Sequence, residues 1–153
     1  MGNGFIVHSD GDTKLIMTCQ HVVKTLAVNA VVPTYFSESC GGKTNARLLS
    51  ADADRDLALL RVDGVHRQIK PILFTDEPTR LGNEVLLLTF FDMDGPIVVR
   101  RYTAKLGSLG APVIAVPSCE AVGVNINSQV GMKGAVSVRT ILAALRSHRP
   151  DAD

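Results

Sequence analysis

Two residues of this chain have the type and the flanking pattern for proton-transfer chemistry. His21 closes the apolar run Leu15-Ile16-Met17-Thr18-Cys19 and precedes Val22-Val23, while Asp56 opens the run Leu57-Ala58-Leu59-Leu60-Arg61-Val62. Both therefore fall at strand ends. An imidazole held there can act as a general base if a carboxylate fixes one ring nitrogen and leaves the other facing the reacting group. With four histidines and fifteen acidic residues in the chain, such a pairing is easily found by chance, and a partly buried histidine bonded to backbone is the plainer role for His21. Cys19 would share a strand face with His21, the spacing of a Cys–His nucleophile pair, or would simply fill the core as an inert thiol. His8, His66 and His148 are dispersed, with no spacing that suggests a zinc or other metal site, so neither metal nor cofactor is expected.

The elements that must hold these residues are strands. Short runs rich in Val, Ile, Leu and Thr predict strands over residues 4–8, 14–20, 26–34, 45–52, 57–63, 83–90, 96–106, 112–116, 121–127 and 134–138. Asp10-Gly11 supplies a hairpin turn between the first two. One helix is expected over residues 137–149, where Val138, Ile141, Leu142 and Leu145 share a face before Pro150 ends it. Residues 63–80, with Pro71, Pro78 and Gly64, mark the junction between two halves of about five strands each. That pattern is all-β, with 153 residues forming one domain of two small packed barrels.

Composition excludes several classes. A net charge of +1 gives no field to attract nucleic acid, and no apolar run approaches the ~20 residues a membrane helix needs. Three widely spaced cysteines suit reduced thiols better than a disulfide framework. With no signal peptide, the cytoplasm is the expected location, or an organelle if the amino terminus is truncated.

Three motifs, in order, then carry a resemblance: Gly2-Asn3-Gly4-Phe5-Ile6, Leu15-Ile16-Met17-Thr18-Cys19-Gln20-His21-Val22-Val23, and Asp56-Leu57-Ala58-Leu59-Leu60. Together they resemble the first barrel of trypsin-like (chymotrypsin-fold) serine proteases, most of all the HtrA/Deg type. Gly82-Asn83-Glu84-Val85 and Ala121-Val122-Gly123-Val124-Asn125 resemble strands of the second barrel. The resemblance implies two six-stranded-type antiparallel β-barrels, a first barrel over 1–66, a shortened second barrel over 81–138 and a C-terminal helix over 139–149.

The resemblance also assigns roles. His21 matches the general base and Asp56 the carboxylate that orients it. The family's serine stands inside glycine-x-Ser-Gly-Gly-Pro, and the matching stretch here is Gly107-Ser108-Leu109-Gly110-Ala111-Pro112, which puts Leu109 in the serine's place. Leucine has neither a lone pair to attack a carbonyl nor a proton to surrender. Loss of a triad nucleophile costs on the order of 10⁶ in turnover. The oxyanion-hole donors would be the backbone N–H groups of Gly107 and Leu109, which do not depend on side-chain identity.

A serine protease homologue, inactive or impaired, that binds extended or unfolded polypeptide is therefore the leading expectation, with Val122, Gly123 and Val124 as the edge to which a peptide adds as a strand. The alternative is an active serine endopeptidase using His21, Asp56 and Ser108 after a one-residue shift of register. A homo-oligomer, or a hetero-oligomer with active relatives, is a further expectation from the resemblance.

Overall fold

The computed structural model describes residues 2–36, 42–75, 83–89, 98–101, 109–116, 118–127 and 134–146. Among the described residues, ten strands form two five-stranded antiparallel sheets. The first contains β1 (Phe5–Asp10), β2 (Thr13–Thr18), β3 (Val31–Tyr35), β4 (Lys43–Asp52) and β5 (Leu57–Val62), in spatial order β1-β2-β5-β4-β3. The second contains β6 (Val85–Thr89), β7 (Val98–Arg101), β8 (Pro112–Ala115), β9 (Ala121–Asn127) and β10 (Gly134–Ser137), in order β10-β9-β8-β6-β7. Two helices, α1 (Gln20–Val23) and α2 (Val138–Arg146), complete the described elements. No described helix is long and apolar enough to cross a membrane.

The strand β5 organises the first half because alternate residues enter different cores. Ala58, Leu60 and Val62 join Ile16, Val23, Ala46, Leu48 and Val65 inside the first sheet's own barrel. Leu57 and Leu59 face the other way and meet Phe5 and Met17 together with Ala121, Val124, Val136 and Ile141 from the second half. A strand buried on both faces needs a nearly continuous apolar run, and Leu57 to Leu60 supplies one. Each of these leucines withdraws enough apolar surface to contribute roughly 1.5–3 kcal/mol. The helix α2 packs Ile141 and Leu145 onto the same seam, so the periodic face read from sequence is the one that closes the gap between the sheets.

Local geometry explains where the strands stop. Gly11, with φ of 49°, turns β1 into β2, and Asp10 pairs with Thr13 across the two-residue connection. The strand expected from residue 26 begins at Val31 instead. Leu26 N–H donates to the Val23 carbonyl at 2.9 Å and Ala30 N–H to that of Ala27 at 3.0 Å, and Asn29 sits in the left-handed region at φ 70°. Two successive turns therefore occupy residues that their apolar character alone assigned to a strand. Pro33 is accommodated because β3 is an outer strand, where a missing N–H breaks no inner ladder. The helix α2 is described as far as Arg146, and the expected turns beyond it lie outside the described residues, as does most of the expected strand 96–106.

The segment between the halves is a strap that bonds to both. Ile72 N–H donates to the Ile6 carbonyl at 2.9 Å, Thr75 N–H to Ala121 at 3.1 Å, and Ala121 N–H to Leu73 at 2.7 Å. Phe74 meets Phe5 edge to face, with ring centroids 6.1 Å apart.

Candidate active site

His21 lies on α1, a single helical turn that begins immediately after β2. The backbone leaves β-geometry at Cys19 (φ −90°, ψ 151°) and then coils, so the imidazole emerges at the rim of the first barrel with its side chain 60% exposed. Asp56 approaches from the turn before β5. Its backbone has a φ of 53°, a left-handed conformation that costs a non-glycine residue about 1–2 kcal/mol. The reward for that geometry is visible at the carboxylate. Asp56 Oδ1 lies 2.8 Å from His21 Nδ1 and accepts the His21 backbone N–H at 2.9 Å. A carboxylate on Nδ1 selects the Nδ1–H tautomer, which leaves Nε2 as the basic nitrogen. Asp56 itself is buried, and its Oδ2 has no hydrogen-bond partner among the described residues.

Cys19 does not form a Cys–His nucleophile pair with His21. It is fully buried, and its thiol is pushed up to about 11 by burial first and by the negative charge of Asp56 second. At neutral pH it is a protonated core side chain. The strand alternation that would have put it beside His21 ends at Thr18, one residue too early.

The turn carrying Leu109 is fastened to the same end of the first barrel. Asn3 N–H donates to the Leu109 carbonyl at 2.6 Å, and Gly110 N–H donates to Asn125 at 2.8 Å. Gly110 has a φ of 82°, and a Cβ built there would fall 2.0 Å from the Asn3 carbonyl oxygen and 2.3 Å from Thr18 Oγ1. The Thr18 hydroxyl donates to that same Asn3 oxygen at 2.6 Å. Thr18 ends β2, so the chain that leads into His21 and the turn that contains Leu109 are joined through Asn3. Gly107 and Ser108 lie outside the described residues.

The expected peptide-binding edge at Val122, Gly123 and Val124 requires correction. These residues belong to β9, which is an inner strand with β10 on one side and β8 on the other. Val124 pairs with Val136 of β10 and with Pro112 of β8, and Gly123 with Ser137 and Val113. Val124 is fully buried in the seam. Gly123 and Val124 are therefore paired on both sides and leave an incoming strand no free backbone.

Residue types alone did not single out Asn3, Thr18 and Gly110 as a unit. The available signals were one hydroxyl at the end of the apolar run Leu15-Ile16-Met17 and a glycine before Ala111-Pro112. Neither discloses a contact between residues so far apart in the chain. Among the described residues, no group of three or more His, Cys, Asp or Glu side chains could hold a metal ion.

Two antiparallel β-units packed through a shared seam, with a His–Asp pair at the rim of the first, define the trypsin-like fold. Residues 2–99 match the family model for the trypsin-like peptidase domain, and the chain belongs to that family. Solved structures agree on the architecture. The serine endoprotease from Yersinia pestis superposes with a TM-score of 0.71 at 18% identity, over 95% of this chain and 56% of that one. The active form of a protease from M. tuberculosis gives a TM-score of 0.72 at 19% identity, over 95% of this chain and 72% of that one. Deg5 gives 0.66 at 19% identity, over 93% and 80%. These likenesses show the fold, of HtrA type, and the chain spans 56% of the length of the Yersinia pestis endoprotease chain. No curated protein sequence matches the chain.

Proposed function

We propose that this protein is a trypsin-like, HtrA-type domain that binds extended or unfolded polypeptide without hydrolysing it. The observation that carries the reading is the combination of an intact His21–Asp56 pair, 2.8 Å apart, with leucine rather than serine at position 109, where the resemblance puts the nucleophile. A base with no hydroxyl to deprotonate cannot begin acyl-enzyme chemistry. A peptide that joins a sheet needs an outer strand, because only there are backbone donors and acceptors unpaired. Among the described strands of the second sheet, β10 and β7 are the outer ones.

Two measurements on the purified full chain test the reading together. Fluorescence anisotropy with labelled, unstructured peptides of varied composition is expected to give saturable binding, with the peptides recovered uncut. Treatment with a fluorophosphonate is expected to add no mass. Absence of affinity for every peptide removes the binding role. A fluorophosphonate adduct that maps to Ser108 replaces it with an active endopeptidase built on His21, Asp56 and Ser108.

A further inference from the structure

We infer that the segment Gly2–Gly4, together with the Thr18 hydroxyl, is a positioning strap that fixes the turn at residue 109 relative to His21, whatever side chain residue 109 carries. The inference rests on the reading that Leu109 occupies the nucleophile position, and it extends that reading to the residues that hold the position in place.

The strap is wedged between the two parts it relates. On one side is α1: a Cβ at Gly2 would lie 2.1 Å from Val22 Cγ2, and Val22 is the neighbour of His21. On the other side is the turn: Asn3 N–H donates to the Leu109 carbonyl at 2.6 Å, and the Asn3 carbonyl lies against Gly110 so closely that only glycine fits. Thr18 locks the strap between them by donating its hydroxyl to the Asn3 carbonyl at 2.6 Å. From behind, Gly110 N–H donates to Asn125, at 2.8 Å, and Asn125 N–H donates to Ala111, at 2.9 Å.

The bonds that reach the turn, from Asn3 to Leu109, from Gly110 to Asn125 and from Asn125 to Ala111, all engage its backbone. The side chain of residue 109 takes part in none of them, so its identity is free to change without releasing the turn. The placement of Leu109 and Gly110 is then independent of which side chain residue 109 carries. Thr18 is the side chain on which that geometry depends, because without its hydroxyl the Asn3 carbonyl loses the donor that orients it. A misplacement of about 1 Å costs on the order of 100-fold in a positioned reaction.

The test uses Leu109→Ser as a reporter and fluorophosphonate labelling rate as the readout. In that reaction the introduced hydroxyl oxygen bonds to phosphorus, the P–F bond breaks, fluoride leaves, and the hydroxyl proton passes to His21 Nε2. Leu109→Ser is expected to label. Adding Thr18→Val, which keeps the shape and removes the hydroxyl, is expected to slow labelling by about 10-fold or more, and Thr18→Ser is expected to restore it. Gly2→Ala, which pushes on the strap from the α1 side, is expected to slow labelling independently.

A parallel measurement needs no reporter. In the chain with leucine at 109, Thr18→Val is expected to speed amide hydrogen exchange at Asn3 and Gly110 while leaving the core amide of Leu60 protected. Equal labelling with and without the Thr18 hydroxyl, unchanged exchange at Asn3 and Gly110, or no labelling of a folded Leu109→Ser variant overturns the strap. Labelling of the unsubstituted chain is a different failure, since it removes the reading of Leu109 itself.

Discussion

One oxygen of Asp56 serves His21 twice: Oδ1 lies 2.8 Å from Nδ1 of the ring and accepts the backbone N–H at 2.9 Å. A single atom thus fixes both the orientation of the imidazole and the start of the helical turn that carries it. The second oxygen, Oδ2, is buried without a hydrogen-bond partner among the described residues, which makes the carboxylate expensive to bury and leaves Oδ1 as its anchor. Residue 56 also holds a left-handed backbone at φ 53°. Strain concentrated at one residue that orients another is the pattern of a functional site.

Asp56→Ala removes the acceptor for the His21 N–H and keeps the left-handed backbone, so it is expected to cost about 1–3 kcal/mol in urea unfolding. Asp56→Gly removes the same acceptor but relieves the backbone. It is expected to be less damaging than Asp56→Ala by about 1 kcal/mol. If the two variants unfold at the same urea concentration, the left-handed backbone at residue 56 carries no strain.

Gly110 and Gly11 separate conformational strain from collision. Both have positive φ, 82° and 49°, but a Cβ at Gly11 meets nothing within 4 Å, whereas one at Gly110 falls 2.0 Å from the Asn3 oxygen. Gly11→Ala is expected to cost about 1 kcal/mol. Gly110→Ala is expected to cost at least about 2 kcal/mol more, because the backbone of Asn3 must be displaced. Chemical denaturation of the two variants side by side reads the difference directly.

What the sequence disclosed and what it withheld divide along physical lines. Most strands were legible because each depends on local pattern, a period of two or a continuous run through Leu57 to Leu60, whereas His21 and Asp56 showed only as polar residues at strand ends and were assigned as a pair by the resemblance of their motifs. The turns before Val31 were hidden because Ala27, Val28 and Ala30 are apolar yet lie in a loop bracketed by hydrogen bonds to Val23 and Leu48. The position of β9 inside its sheet was hidden for another reason. Which strands flank Val122 to Val124 is set by pairings with residues 112–113 and 136–137, and no local pattern encodes a neighbour. The bond from Thr18 to Asn3 ends on a backbone oxygen, which every residue type supplies.

Leu73 and Phe74 are adjacent and should behave oppositely. Phe74 packs edge to face on Phe5 with centroids 6.1 Å apart and belongs to the seam between the sheets, while Leu73 is 64% exposed. Phe74→Ala is expected to destabilise by about 2–3 kcal/mol, and Leu73→Ser to change stability by less than about 0.5 kcal/mol. Thermal unfolding distinguishes them. A large cost at Leu73 would mean that its side chain is covered in solution.

The thiol of Cys19 supplies a pH signature with a definite sign. Burial and the charge of Asp56 raise it from 9.0 to about 11, so the folded state holds its proton in a range where the unfolded chain releases it. The unfolded state therefore binds fewer protons between these values, and stability must fall as pH rises. Below pH 9.0 the contribution is fully present; it is lost progressively up to about 11. The full chain is expected to show a steeper fall in unfolding free energy across that window than Cys19→Ala, whose core lacks the titrating group. The same shift predicts protection from alkylation: at pH 8, peptide mapping after iodoacetamide treatment should find the peptide with the exposed Cys119 modified well before the one with the buried Cys19. Rapid modification of Cys19 in the folded protein, or a pH slope unchanged by its removal, would show that the thiol is neither buried nor coupled to Asp56.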